Sequence, residues 1–115
     1  MDAPLLVLIK SDPQKSHRPV EAIRMGLGFV GGELPVEFLL LNNAPHLLGL
    51  DSEDLVDGEI LQKYLPPLGE MGTVFHVEAS ALDKIDLSES DYKIKAVSPD
   101  EITRLVENAG RHIIM

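Results

Sequence analysis

Residues 73–87 read TVFHVEASALDKIDL, and this stretch decides the fold. Its first part, 73–77, is the kind of largely apolar run that forms a buried strand, and it is predicted to be a central strand of a sheet. The run stops at Glu78, after which the chain opens into a loop. Ligands of open α/β sheets bind just beyond the carboxyl ends of the strands, so residues 78–80 lie where chemistry is expected. The first residue at this position is a glutamate. From residue chemistry alone, no set of catalytic residues is recognisable in the sequence.

Four more strands are predicted around this one. Residues 5–9 and 35–41 are apolar runs, typical of strands covered by helices on both faces. Residues 92–97 alternate between apolar and lysine side chains, as a strand near the sheet edge does. Residues 112–115 form the last predicted strand.

Three helices are predicted between these strands. The first covers residues 19–31 and begins with a proline, which is favourable at the first helical position. The second covers residues 59–65, after which Pro66 and Pro67 kink or end it. The third begins at the capping box formed by residues 98–101, Ser-Pro-Asp-Glu.

The alternation of strands and helices predicts a single domain covering residues 1–115. Its predicted architecture has three α/β/α layers, with a flavodoxin-like, mostly parallel five-stranded sheet and helices on both faces. A chain of 115 residues is long enough to bury one core.

Composition excludes several classes of function. The chain has 10 Lys and Arg against 19 Asp and Glu, a formal net charge of −9, so it offers no electrostatic footprint for nucleic acid or for an anionic membrane surface. It contains no cysteine, which excludes disulfides, thiolate metal sites and thiol nucleophiles on this chain.

The first residues of the chain predict where in the cell the protein is found. Residues 1–4 are acidic where a signal peptide is basic, and the apolar run at 5–9 is too short for a signal peptide core or a membrane span. A cytoplasmic protein is therefore expected.

Polar residues at the carboxyl ends of the predicted strands are candidates for one ligand-binding crevice. A small ligand there and ordinary loop capping are both open interpretations. The candidates are Lys10, Ser11, Asp12, Asn42, Asn43, His76, Glu78 and Ser80.

No metal or other cofactor is predicted. The histidines have no i, i+4 pair of the kind that forms a helical metal site. The acidic segment 49–58 lacks EF-hand spacing and is interpreted as a solvated loop. His76 is most simply a hydrogen-bonded core or interface histidine, but Glu78 lies on the same side of the strand and could complete a general acid/base pair.

The chain has more apolar residues than one small core readily buries, which predicts an oligomer. The interface candidates are Met25, Phe29, Leu47, Leu48 and Leu50.

In the order and spacing of its motifs the chain resembles the DsrE/DsrF/DsrH (TusBCD) family of small sulfur-relay proteins, most closely the TusC/DsrF-type subunits. The resemblance spans nearly the whole chain. It is carried by four segments, 6–13, 36–48, 77–82 and 97–102.

The resemblance implies the flavodoxin-like fold, and it implies a place among proteins that pass persulfide sulfur between cysteines in tRNA thiolation or sulfur oxidation. The family's catalytic cysteine follows the third strand. Glu78 falls on or next to that position, and Asp86 stands where a glycine is usual. A carboxylate cannot form a persulfide.

The resemblance therefore implies a non-catalytic subunit or scaffold. Its partners would be related chains or further copies of itself, in a trimer or hexamer. Two alternatives remain open: a stand-alone homo-oligomeric module that binds a small ligand or anion, and an acid/base enzyme that uses His76 and Glu78.

Overall fold

The computed structural model describes residues 3–115, and in this part of the chain five strands form one parallel sheet. The strand order is β4-β3-β2-β1-β5. The five-stranded flavodoxin-like architecture is confirmed, as is the position of the fourth strand at an edge. The strand predicted at residues 73–77 is an interior strand, β3, which pairs with β2 on one side and with β4 on the other, while β2 is the middle strand of the five. The strands are β1 (Leu5–Ile9), β2 (Val36–Leu40), β3 (Val74–Glu78), β4 (Lys93–Val97) and β5 (Arg111–Ile114).

Three α-helices connect the strands: α1 (Arg18–Gly31), α2 (Gly58–Glu70) and α3 (Pro99–Asn108). Short 3₁₀ helices follow β2 at Ala44–Leu48 and Ser52–Asp54, and another follows β3 at Ala79–Asp83. The predicted capping box of the third helix is present, because the Ser98 side chain accepts from the Glu101 N–H and Glu101 reaches back to Ser98.

Helices α1 and α2 cover one face of the sheet, and the larger core lies between them and the sheet. Gly26 of α1 allows the close approach, because a Cβ there would lie 2.4 Å from the ring of Phe38. Gly28, two residues farther along the same helix, faces open space. Buried residues in this core include Val7, Ile9, Val20, Ile23, Phe38, Leu40, Leu61, Leu65, Phe75 and Val77.

Helix α3 alone covers the other face, so the third layer is thinner. Leu6, Leu39 and Val97 form its small buried cluster, against which Ile102 and Leu105 pack while remaining partly exposed. No residue of α3 is fully buried. Part of this sheet face is consequently open beside α3.

Helix α2 does not end at its two prolines. It continues through Pro66 and Pro67 to Glu70, although neither proline can donate the helical hydrogen bond. Leu61, Leu65 and Leu68 form a buried stripe on both sides of the prolines. This packing favours the continuous helix in spite of the missing donors.

Strand β5 returns the chain to β1. Leu8 pairs with Ile114, and the Met115 carbonyl accepts hydrogen bonds from the Ser11 N–H at 3.2 Å and the Ser11 hydroxyl at 2.8 Å. The loop after β1 is thereby tied to the residue that follows β5.

Within residues 3–115 no helix combines the length and the apolar character that a membrane crossing requires. Met1 and Asp2, which contribute to the acidic start of the sequence, lie outside the described residues.

Candidate functional site

The carboxyl end of β3 is joined to the carboxyl end of β2 through Glu78. The Glu78 carboxylate accepts a hydrogen bond from the Asn42 backbone N–H. Asn42 has the left-handed φ of 57°, a conformation that asparagine tolerates better than most residues. Glu78 therefore secures the turn after β2.

The loop after β1 contributes to the same edge of the sheet. The Asp12 carboxylate accepts from the Gln14 N–H at 2.9 Å, and the Asn43 amide donates to its other oxygen at 3.4 Å. Ser11 is bound to the Met115 carbonyl. Lys10 and Ser80 are exposed. The structure therefore brings Asp12 together with Asn43, and Asn42 together with Glu78. Both contacts are hydrogen bonds of the kind that caps loops.

A cavity of about 580 Å³ opens at this end of the molecule, but none of the predicted ligand residues lines it. The segments 49–55 and 84–90 fold beyond the strand ends and form its walls. The candidates predicted from the sequence were the residues that directly follow each strand, so the lining residues farther along the loops were missed. The sequence feature that could have indicated the cavity is the excess of acidic residues in segment 49–58. The charged and polar lining residues are Gln14, His46, Asp51, Asp54, Lys84, Asp86, Glu89 and Ser90.

The cavity is predominantly acidic, with four carboxylates and one lysine in its lining. Hydrogen bonds from the Ser88 side chain and backbone N–H hold the pKa of Asp86 below its usual value, which favours the charged form of this carboxylate. Such a lining favours a cationic or neutral polar ligand over an anion. Within residues 3–115 no group of three or more acidic or histidine side chains is placed to bind a metal ion.

His76 lies apart from this cavity. Its ring Nδ1 is 3.1 Å from the Phe38 carbonyl oxygen, as expected for a hydrogen-bonded strand histidine. Glu78 instead binds the Asn42 N–H. The two side chains are engaged with different backbone groups, so the geometry gives the acid/base pair no support. His76 lines a smaller cleft on the face covered by α3.

The interface candidates are only partly accessible. Leu47 and Leu48 are wrong as interface residues, because the 3₁₀ turn after β2 directs them into the core, where they are 0% and 1% exposed. Met25 and Phe29 are half-buried on α1. Leu50 is exposed beside the acidic cavity.

Seven large apolar side chains are exposed within residues 3–115, and four of them belong to segments at the amino end of the sheet; the other three are Leu50, Ile60 and Ile114. Leu34 precedes β2, Met71 precedes β3, Val74 begins β3, and Val106 lies in the last turns of α3, which leads to the amino end of β5. We call Leu34, Met71, Val74 and Val106 the amino-end patch.

The structure is similar to that of the YchN protein from E. coli. The likeness has a TM-score of 0.80, covers 100% of both chains, and is accompanied by 15% sequence identity. No protein-family model matches the sequence. No curated protein matches it either. The likeness shows that the two chains share a flavodoxin-like α/β fold.

Proposed function

We propose that this chain is a non-catalytic subunit or scaffold of a sulfur-relay type assembly in the cytoplasm. The observation that carries the proposal is the state of Glu78. It stands at the end of β3, where the family resemblance places the sulfur-carrying cysteine, and its carboxylate is bound to the Asn42 N–H. In this position it supports the fold and leaves persulfide chemistry to partner chains.

The absence of cysteine from the sequence supports the same proposal, in which partner chains carry the sulfur and this chain does not. A persulfide forms only on a thiol sulfur, and neither a carboxylate nor an imidazole replaces it. A relay that includes this chain therefore needs the cysteine of a related chain.

Assembly through the amino-end patch is the second part of the proposal. Met71 is 55% exposed and Leu34 is 52% exposed, a considerable exposure for large apolar side chains in a small domain. Burying them against a related chain or a second copy is favourable at roughly 25 cal/mol per Å² of apolar surface. A trimer or hexamer is the proposed assembly.

Sulfur labelling tests the chemistry. After incubation with a cysteine desulfurase and ³⁵S-cysteine, we expect no label on this chain that survives denaturation, because it has no acceptor thiol. A cysteine-bearing protein of the same fold is the positive control. Covalent label on this chain would overturn the proposal.

Light scattering tests the assembly surface with two matched variants. Met71→Lys places a charge in the amino-end patch and is expected to lower the assembled mass at micromolar concentration. Leu50→Lys makes a comparable change at a site that is 65% exposed at the opposite end of the sheet, and is expected to leave the mass unchanged. A monomeric wild type, alone and with candidate partner chains, would contradict the assembly. The reverse response would place the interface at Leu50.

The cavity of about 580 Å³ favours one second candidate, a stand-alone module that binds a small ligand. Its acidic lining selects for a polar or cationic molecule. Mass spectrometry of a denatured extract of the purified protein distinguishes the two candidates, because only this module should release a stoichiometric small molecule.

A further inference from the structure

One edge of the sheet is open along β5. In the strand order β5 stands at the end beside β1, and within residues 3–115 it pairs with no other strand. Three of its four residues are exposed, and Ile114 among them is 58% exposed. Such an edge presents unpaired backbone N–H and C=O groups, to which a further strand can be added.

The backbone groups of β5 that face away from β1 follow from the bonds that tie the end of β5 to β1. The Met115 N–H donates to the Leu8 carbonyl at 2.9 Å, and the Met115 carbonyl accepts from the Lys10 N–H at 3.4 Å, so both groups of Met115 point towards β1. Successive residues of a strand turn these groups to alternate sides. His112 and Ile114 therefore turn theirs outward, and together they offer two donors and two acceptors.

The side chains of the same two residues lie on the sheet face that α3 covers. In the register with β1, His112 is the partner of Leu6. Ile114 is the partner of Leu8, and both leucines belong to the apolar cluster under α3. The His112 ring donates from Nε2 to the Val106 carbonyl oxygen at 2.8 Å. Val106, which is 36% exposed, thus stands close to the open edge.

We propose that β5 pairs antiparallel with β5 of a second copy of this chain, around a two-fold axis at Ile113. In this register His112 of each copy lies opposite Ile114 of the other, and the two pairs exchange four hydrogen bonds through their outward groups. Each Ile114 is then buried beside the His112 ring and the Val106 side chain of the other copy. This pairing goes beyond the proposed role in sulfur relay and does not rest on it.

The charges of the two sheet edges favour β5 over β4 for this contact. Antiparallel self-pairing of β4 centred on any of residues 93–95 would place lysines opposite each other, because Lys93 and Lys95 both lie on that strand. On β5 the only strong cation is Arg111, and it lies opposite Met115 of the second copy. In a chain of net charge −9, β5 also contains no carboxylate that would repel the second copy.

The proposed pairing leaves most of the amino-end patch free. Leu34, Met71 and Val74 belong to segments at β2 and β3, which β1 separates from β5, and only Val106 is shared. A four-residue edge forms a small interface, so we expect a weak dimer with a dissociation constant in the micromolar range. The pairing can therefore be tested apart from assembly through the patch.

Disulfide trapping tests the register, since the chain has no cysteine of its own. Ile113→Cys places two thiols at the two-fold axis, with a Cα separation of about 4.5 Å that a disulfide can span. Arg111→Cys is the matched control, because its two thiols would stand about 13 Å apart along the strands. After oxidation with diamide we expect a covalent dimer of the Ile113→Cys protein and little of the Arg111→Cys protein.

Light scattering tests the contact without oxidation. The starting protein is Met71→Lys, in which the amino-end patch carries a charge, and at high concentration we expect it to reach twice the chain mass of 12.6 kDa. Adding Ile114→Lys should raise the dimer dissociation constant about 100-fold, because each copy loses the burial of one isoleucine. Adding Ile60→Lys, at an isoleucine that is 40% exposed on α2, should leave the constant unchanged.

Three outcomes would overturn the pairing. The first is a monomeric mass of the Met71→Lys protein up to millimolar concentration. The second is an equal effect of the two isoleucine changes, and the third is equal cross-linking of the two cysteine variants. Sulfur label on the chain would contradict its proposed function and leave all three measurements unaffected.

Discussion

Gly58→Ala is expected to lower the free energy of unfolding by about 3 kcal/mol, at the upper end for overpacking. A Cβ at position 58 would lie 2.2 Å from the Glu53 carbonyl oxygen and 2.7 Å from the Ser52 carbonyl oxygen. Both atoms belong to the backbone, so the clash cannot be relieved by rotating a side chain. The segment 52–58 would have to move, and it leads from the wall of the acidic cavity into α2.

Thermal unfolding measures this effect, with an expected fall in Tm on the order of 10 °C for a domain of this size. Gly28→Ala is the control, since a Cβ there meets no atom within 4 Å. Because alanine favours a helix interior over glycine, this change is expected to stabilise by about 0.5–1 kcal/mol. Equal melting temperatures for the two variants would show that the segment 52–58 adapts freely.

Glu78→Ala is expected to cost about 1–2 kcal/mol, because it removes a charged acceptor from the Asn42 N–H at a position that water partly reaches. Glu78→Gln keeps an oxygen acceptor and should restore part of the loss. Chemical denaturation of the three proteins measures the difference, and the order wild type, glutamine, alanine is the expected result. Full stability of the alanine variant combined with loss of assembly would show that Glu78 serves an interface instead.

The hydrogen bond between Glu78 and the Asn42 N–H also affects any attempt to restore sulfur transfer by placing a cysteine at position 78. Glu78→Cys should be destabilised like the alanine variant, since a thiol is a poor acceptor. Its reactivity should also be low, because Asp83 and Asp86 outnumber Lys84 in the following loop, and a reactive thiolate needs a cationic setting. Efficient sulfur loading of this variant would contradict that expectation.

The fold could be predicted largely from local patterns. Apolar runs gave the strands, and the capping box at Ser98 gave the start of α3, because these signals depend on residues close in sequence. The continuation of α2 past Pro66 depends on Leu61 and Leu68 meeting the core, which local patterns do not contain. Strand order likewise depends on distant pairing, so local patterns did not show that β2 and not β3 is the middle strand of the sheet.

The site could be predicted less well, because it is formed by loops. Asp12, Asn43 and Glu78 were identified by their position just after strands, and they do meet partners at that edge. The cavity walls depend on how segments 49–55 and 84–90 fold back, for which the sequence offers only an excess of acidic residues. Leu47 illustrates the same limit, since the direction in which the short 3₁₀ turn points its side chains depends on the surrounding fold.

The position of β5 beside β1 has a consequence for the order of folding. β1 pairs with β2 through residues such as Leu5 and Val36, whereas the bond between Ser11 and Met115 spans 104 positions. Loop-closure entropy disfavours early formation of such a distant contact. We therefore expect β1 to β4 to associate first and to leave one edge of β1 unpaired until β5 docks. An apolar strand with an open edge is a template for intermolecular pairing, so refolding yield should fall as protein concentration rises.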